Sequence, residues 1–309
     1  KYPIKIIGDK SLSKRDFRRV TEPLSKFGAQ FKLKKGKNLP LIIFGSQKLN
    51  SIKYFEKKGS AQCKSSVILA ALNTKGETII KAKKSRDHTE ILLKYLKVPI
   101  KIKKEKFFDL IKIKGGYQFK GFSYNIPSDI SSSAFFIVLT LLSKKSQLTI
   151  KNVNINPSRI GVVTILKKMG AKIILKKKRI YKGEKVANIF IKSTKNLKSI
   201  NCPKILNSQA IDEFLLIFLV AARAKGMSSF KDLGELNQKE SPRLKLGSKI
   251  LNLMGIKTIL TSSSIRIFGN PDIKVKKLIK IKNYLKDHRI FMMSVVAALT
   301  IGGHWKVYN

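Results

Sequence analysis

Acidic residues are scarce in this chain. Only 18 Asp and Glu stand against 65 Lys and Arg in 309 residues, for a formal net charge of +47. Cysteine is nearly absent. Cys63 and Cys202 lie far apart without CxxC spacing, which argues against a zinc site and a disulfide framework and points to a reducing, cytoplasmic setting. No apolar run reaches the ~18 residues needed to span a membrane. The longest, "FLLIFLVAA" (Phe214 to Ala222), reads as a buried helix. The opening residues "KYPIKIIGD" have the character of neither a signal nor a transit peptide. What is present is an ordinary apolar content of 43%, enough for a folded chain with a real core and length for two domains.

So high a positive charge normally suggests nucleic acid. Here the Lys residues are spread along nearly the whole sequence, not gathered in one arm or helix. They also accompany abundant Ile and Asn, which A/T-rich codons favour together. Specific nucleic-acid binding is therefore disfavoured, and a basic cleft for small anionic substrates fits the same charge.

The chain repeats itself. Three segments open with a small-residue or polar turn and an apolar helix: "SAQCKSSVILAALNTKGETII" from Ser60, "ISSSAFFIVLTLLSKKSQLTI" from Ile130 and "AIDEFLLIFLVAARAKGMSSF" from Ala210. Each continues through a β-like run, a polar loop, a second amphipathic helix and a further β-like stretch. Two of the second helices close alike, "ILKKMGAKIIL" at Gly170 and "ILNLMGIKTIL" at Gly255, where a helix C-terminus favours a left-handed residue. "LSKFGAQFKL" around Gly28 matches a second half-unit, and "DHRIFMMSVVAALTIGG" matches a first half-unit. Alternating strands and helices in units this long indicate an α/β fold of βαβαββ-like modules in two lobes. The expected lobes are 1–127, with a half and a full unit, and 128–309, with two full units and a half. On this reading the sequence begins and stops mid-repeat, as a fragment would.

Polar signals recur at the helix starts. "GSAQCKSS" is a cap, with Gln62 and Lys64 adding some anion-binding character. In "SRDHTE", Ser85 or Asp87 is expected to cap a helix with Glu90 closing a capping box, which leaves Arg86 to clamp a phosphate. "NPSRIG" reads as a turn before a helix. "QAIDEFL" sets Asp212 and Glu213 before an apolar helix, as macrodipole complements or as a general base. In "NQKESPR", Ser241 reads as an N-cap and Pro242 as the first helical residue. That leaves Lys239 and Glu240 unexplained as structure. "KDHRI" again puts Arg and His at a helix start. Loops that meet at one cleft are where function is expected.

These motifs, in this order and over almost the whole chain from Gly8 to about Gly303, resemble the 5-enolpyruvylshikimate-3-phosphate synthase family, also called 3-phosphoshikimate 1-carboxyvinyltransferases. The sister UDP-N-acetylglucosamine enolpyruvyl transferases fit "SRDHTE" and "DHRI" less well. The resemblance implies two inside-out α/β lobes of repeated units, a monomer at full length, and small-molecule substrates. It also implies transfer of the enolpyruvyl group from phosphoenolpyruvate to the 5-hydroxyl of shikimate 3-phosphate, with no metal and no organic cofactor. By it, Ser60, Ala61, Gln62 and Arg86 hold shikimate 3-phosphate. Arg15, Arg243 and Arg289, with Gln62, hold phosphoenolpyruvate. Asp212 handles the 5-hydroxyl proton, Lys239 contacts the 5-hydroxyl region, and Glu240 moves the proton at the methylene carbon.

The sequence departs from the family in three ways. Pro242 stands where the family has Asp, and Lys286 where it has Gly. The family's N-terminal Lys and Ser/Arg motif, its Gly-rich loop and its C-terminal phosphoenolpyruvate-contacting Lys have no counterpart. The alternative reading is a non-catalytic remnant with non-specific nucleic-acid affinity, which a salt-dependent shift on mixed DNA or RNA would support. Half-units also leave apolar helix faces and sheet edges uncovered. The isolated chain is therefore expected to self-associate in light scattering, and a monodisperse, cooperatively melting monomer would contradict this.

Overall fold

The computed structural model describes residues 2–10, 12–46 and 48–308. The chain divides into two compact units, Lys1–Tyr124 and Asn125–Asn309.

In the first unit, β1 (Ile4–Ile6), α1 (Arg18–Ser25), β2 (Gln30–Lys34) and β3 (Asn38–Phe44) precede a complete βαβαββ module. That module comprises β4 (Lys53–Glu56), α2 (Ala61–Leu72), β5 (Glu77–Lys83), α3 (His88–Tyr95), β6 (Ile100–Lys104) and β7 (Phe108–Lys114). Its sheet runs β4-β5-β7-β6, with β4 parallel to β5 and the other pairs antiparallel. Strand alternation buries Ile80 and Ala82 of β5 and Ile111 and Ile113 of β7. They meet Val67, Ile68 and Ala71 on one face of α2 to form this unit's core.

The second unit holds two more modules of this plan, with isolated parallel bridges (Ser128 to Val153; Lys198 to Lys225 and Asn201 to Ser229) in place of a regular first strand. The first is α4 (Ile130–Leu142), β8 (Gln147–Asn154), α5 (Gly161–Lys168), β9 (Lys172–Tyr181) and β10 (Glu184–Lys192). A short α6 (Asn207–Ala210) leads into the second: α7 (Phe214–Ala222), β11 (Gly226–Phe230), α8 (Arg243–Leu253), β12 (Thr258–Leu260) and β13 (Ile265–Gly269). A βαβ half follows, with β14 (Leu278–Ile281) parallel to β15 (His304–Val307) and α9 (His288–Ile301) between them. The leading helices α4, α7 and α9 pack on one another. All nine residues of α7 are buried, so this helix is the axis of the core, as an uninterrupted apolar run requires.

The internal repeat is visible in the sheets. β1-β3-β2, β8-β10-β9 and β11-β13-β12 share one order, with the last strand in sequence at the centre, and β5-β7-β6 repeats it inside the four-stranded sheet. Gly170 and Gly255, expected as helix terminators, have φ of +91° and +92°. Six lysines hold the same left-handed region without glycine's freedom: Lys35, Lys97, Lys145, Lys177, Lys182 and Lys286. Lys286 is the position where the resemblance implies glycine.

Two other glycines mark the repeat through closeness. A Cβ on Gly269 would lie 2.1 Å from the carbonyl oxygen of Ala224 and 2.4 Å from that of Ala221. One on Gly115 would meet the equivalent carbonyls, Thr74 at 1.8 Å and Ala71 at 2.3 Å. Gly269 ends and Gly115 directly follows a central strand, each against the C-terminus of a leading helix. Gly269→Ala is therefore expected to cost about 1–3 kcal/mol or more, read as a lower denaturation midpoint with an unchanged m-value.

Candidate active site

In the second unit the loops entering α7, α8 and α9 bring five of the expected residues together. Arg243, the first residue of α8, is buried, with a side chain 2% exposed. A buried guanidinium must be ringed by acceptors. Its Nε lies 2.9 Å from Asp287 Oδ2 and its Nη2 lies 2.5 Å from Glu240 Oε2. Its Nη1 lies 3.5 Å from Asp212 Oδ1. Lys239 Nζ sits 3.8 Å from the same Asp212 oxygen and donates to Glu235 Oε1 at 2.9 Å. Arg289 donates through Nη1 to the Asp212 backbone carbonyl at 2.8 Å. It thereby anchors the chain beside the carboxylate, whose Oδ1 faces Arg243 and Lys239.

Asp287 is the buried centre of this group. It accepts from the Ser241 hydroxyl at 2.8 Å, from Arg243, and from the Arg289 backbone N–H at 2.9 Å as cap of α9. Burial alone would push its carboxyl up. The hydrogen bond and charge of Arg243, with Ser241 and the Arg289 amide, outweigh burial and hold it below its ordinary value. Glu213 is displaced the other way. Burial dominates and raises it, and the Ser131 hydroxyl, Arg159 and Arg289 offset this only in part. Ser131 donates to Glu213 Oε1 at 2.5 Å, and Arg159 donates to Ser131 and lies 3.1 Å from Asp129 Oδ1. The leading helices α4 and α7 are thus linked by polar groups at their starts.

Three helix-start expectations are corrected here. Ser241 does not cap α8, because its hydroxyl is drawn to Asp287, 46 residues away. Pro242 precedes the helix at the cap position and has no side chain with which to cap it, and Arg243 is the first helical residue. Asp87 makes no side-chain cap bond, and Glu90 closes no capping box because its carboxylate is turned to buried Lys64. Arg159, read as part of a turn, is a network member, while Asp287 and Glu235 went unread. The signal that could have found these acids is their rarity: in a chain with 18, each one at a helix start has a strong claim to a partner.

In the first unit, Ser60 caps α2 by accepting from Cys63 N at 3.3 Å, as expected. Ala61 opens the helix, and Gln62 accepts from Arg19 of α1. Arg86 lies just before α3. Exposed Arg15 lies between the short turn of helix at Leu12–Lys14 and α1, with its carbonyl bound by Asn38 Nδ2 at 3.1 Å.

The profile of the family described as EPSP synthase (3-phosphoshikimate 1-carboxyvinyltransferase) matches residues 1–309. The chain belongs to the EPSP synthase family. A relative in Ruthia magnifica with the name 3-phosphoshikimate 1-carboxyvinyltransferase is 44% identical over 97% of this chain and 67% of its own length. Another in Vesicomyosocius okutanii is 41% identical over 96% and 67%. The chain spans about two thirds of the length of the curated relatives it matches. A solved EPSP synthase from Acinetobacter baumannii superposes with a TM-score of 0.83 at 36% identity, covering 97% of this chain and 68% of that one. An enolpyruvyl transferase from Streptomyces tendae, at 15% identity and a TM-score of 0.70, shares the fold. EPSP synthases are transferases of the shikimate pathway that move the enolpyruvyl group of phosphoenolpyruvate to shikimate 3-phosphate. The mixed α/β architecture of this chain is theirs.

Asp287→Asn would leave Arg243 buried against a neutral amide. The expected loss is about 3–5 kcal/mol at neutral pH. Because Asp287 is held below its ordinary 3.8, its contribution is complete above that value and disappears as pH falls through the lowered one. Wild type and variant should converge in acid, which denaturant titrations at several pH values would measure.

Proposed function

We propose that the loops entering α7, α8 and α9 are the enolpyruvyl-transfer machinery of this chain. The supporting observation is that Asp212 Oδ1 stands within 3.5 Å of Arg243 and 3.8 Å of Lys239 at the start of a buried helix. The two cations hold that carboxylate in place beside the helix start, where it can accept a proton from a bound hydroxyl. In the addition step Asp212 accepts the proton of the substrate 5-hydroxyl, whose oxygen attacks C2 of phosphoenolpyruvate. Glu240 delivers a proton to C3. In the elimination step the same carboxylate removes a proton from C3 as the C2–O bond to phosphate breaks. Lys239 holds the 5-hydroxyl region.

In the second unit Arg243 and Arg289 are the phosphoenolpyruvate-binding residues, and in the first unit the family resemblance assigns Arg15 and Gln62 to the same substrate. Arg243 already binds carboxylates of its own chain, so a substrate carboxylate or phosphate replaces one anion by another at a pre-formed clamp. Glu240, an exposed residue whose side chain is 30% exposed, is the partner such an anion displaces, which frees it for proton transfer at C3. Ser60, Ala61, Gln62 and Arg86 hold shikimate 3-phosphate at the N-terminal turns of α2 and α3, where free N–H groups favour anions. The charge of the chain serves these small substrates, not nucleic acid. A cytoplasmic setting suits two buried free thiols, and the full-length protein acts as a monomer.

The test is phosphate release from shikimate 3-phosphate and phosphoenolpyruvate. Activity is expected with the wild-type chain, and Glu240→Gln is expected to lower kcat by about 10²–10⁴-fold. Absence of release by the wild-type protein, or an undiminished Glu240→Gln rate, would overturn the assignment.

A further inference from the structure

Lys64 is the buried lysine of a protein that keeps its other described lysines out of the interior. Its side chain is 1% exposed, and its Nζ lies 2.5 Å from Oε1 of Glu90, which is 4% exposed. Nothing in the chemistry proposed above uses either group. Burying such a pair is seldom stabilising relative to apolar residues of the same volume, so stability alone is a weak reason for it. Its geometry is more informative. Lys64 stands in the first turn of α2, two residues after Gln62, and Glu90 in the first turn of α3, four residues after Arg86. One step along each helix, in opposite directions, the Ser65 and Thr89 hydroxyls bond at 2.7 Å. The start of α2 is also tied to α1 through Arg19 and Gln62. Ser60 accepts the Cys63 amide, which leaves its hydroxyl proton to donate outward.

We propose that Lys64 and Glu90 are positioning residues that hold the start of α2 (Ser60, Ala61, Gln62) and the turn of Arg86 at the separation needed to grip shikimate 3-phosphate. The pair acts through those residues and does not touch substrate. Oε2 of Glu90 and Oγ of Ser85, beside Arg86, are buried without hydrogen-bond partners. Asp87, next to Arg86, is held separately by Lys104, whose Nζ lies 3.3 Å from its Oδ2; the Lys64–Glu90 ion pair and the hydroxyl pair are the buried ties that link the two helix starts. Two charges held at contact resist sliding in a way that apolar contacts do not, because an offset leaves a buried ion unpaired.

The proposal rests on the function assigned above, and the experiment separates the two. Shikimate 3-phosphate binding would be measured by calorimetry alongside thermal melting for wild type, Glu90→Asp, and the apolar double variant Lys64→Met with Glu90→Leu. The double variant is expected to melt at or above the wild-type temperature yet bind shikimate 3-phosphate about tenfold or more weakly. Glu90→Asp keeps the charge but shortens its reach. It is expected to weaken binding as well, and it carries the test if the double variant does not fold. A merely structural pair would change affinity only as melting changes. Wild-type binding with undiminished affinity in a folded double variant, or in Glu90→Asp, would overturn the positioning role and leave the assigned function standing. No binding by wild type would overturn the function and the positioning role with it.

Discussion

A guanidinium taken out of water dictates the second unit. Arg243 cannot lose its hydration unless carboxylates replace it. The three that do so come from separate stretches: Asp212 before α7, Glu240 before α8 and Asp287 before α9. Satisfying one cation therefore fixes three helix starts relative to one another. Ser241 and the Arg289 amide complete the shell of Asp287, so the clamp cannot rotate without stranding a polar group. The helices behind these loops are apolar and could slide on one another with little change in buried area. The charged ring is what makes their register unique.

The same device recurs with different residues. α2 and α3 are laced by Lys64–Glu90, and α4 and α7 by Arg159, Ser131 and Glu213. In each case a basic group from one helix start meets an acid or hydroxyl from another. In a chain so short of acids, this concentration at helix starts means that surface lysines go largely unpaired while the interior pairs are kept. The exposed charge is diffuse and screened by salt, whereas the buried pairs set geometry.

The repeat was legible because its markers are local. Apolar periodicity located the leading helices, and Gly170 and Gly255 announced helix ends through their own backbone needs. Sheet order was not legible, because placing the last strand of each unit at the centre is a matter of pairing between distant segments. The site was half legible. The family resemblance, not residue type alone, singled out Asp212, Lys239, Glu240, Arg243 and Arg289, and the structure brings all five together at neighbouring helix starts. The caps failed where a tertiary partner outbid the local one. The Ser241 hydroxyl had a helix N–H within reach and took Asp287 instead, and Glu90 turned from its own helix to Lys64. Hydrogen-bonding groups choose the stronger, drier partner, and that partner is not visible in a window of seven residues.

The left-handed lysines have a consequence for the life of the protein in a cell. Each places a β-carbon against a carbonyl where glycine would place none, at a cost on the order of 1 kcal/mol. A domain of this kind has only about 5–15 kcal/mol in total separating folded from unfolded. Several such turns narrow that margin and raise the steady-state share of unfolded chains exposed to proteases. Abundance in a cell then depends on how those unfolded chains are partitioned between refolding and degradation, and not on synthesis alone.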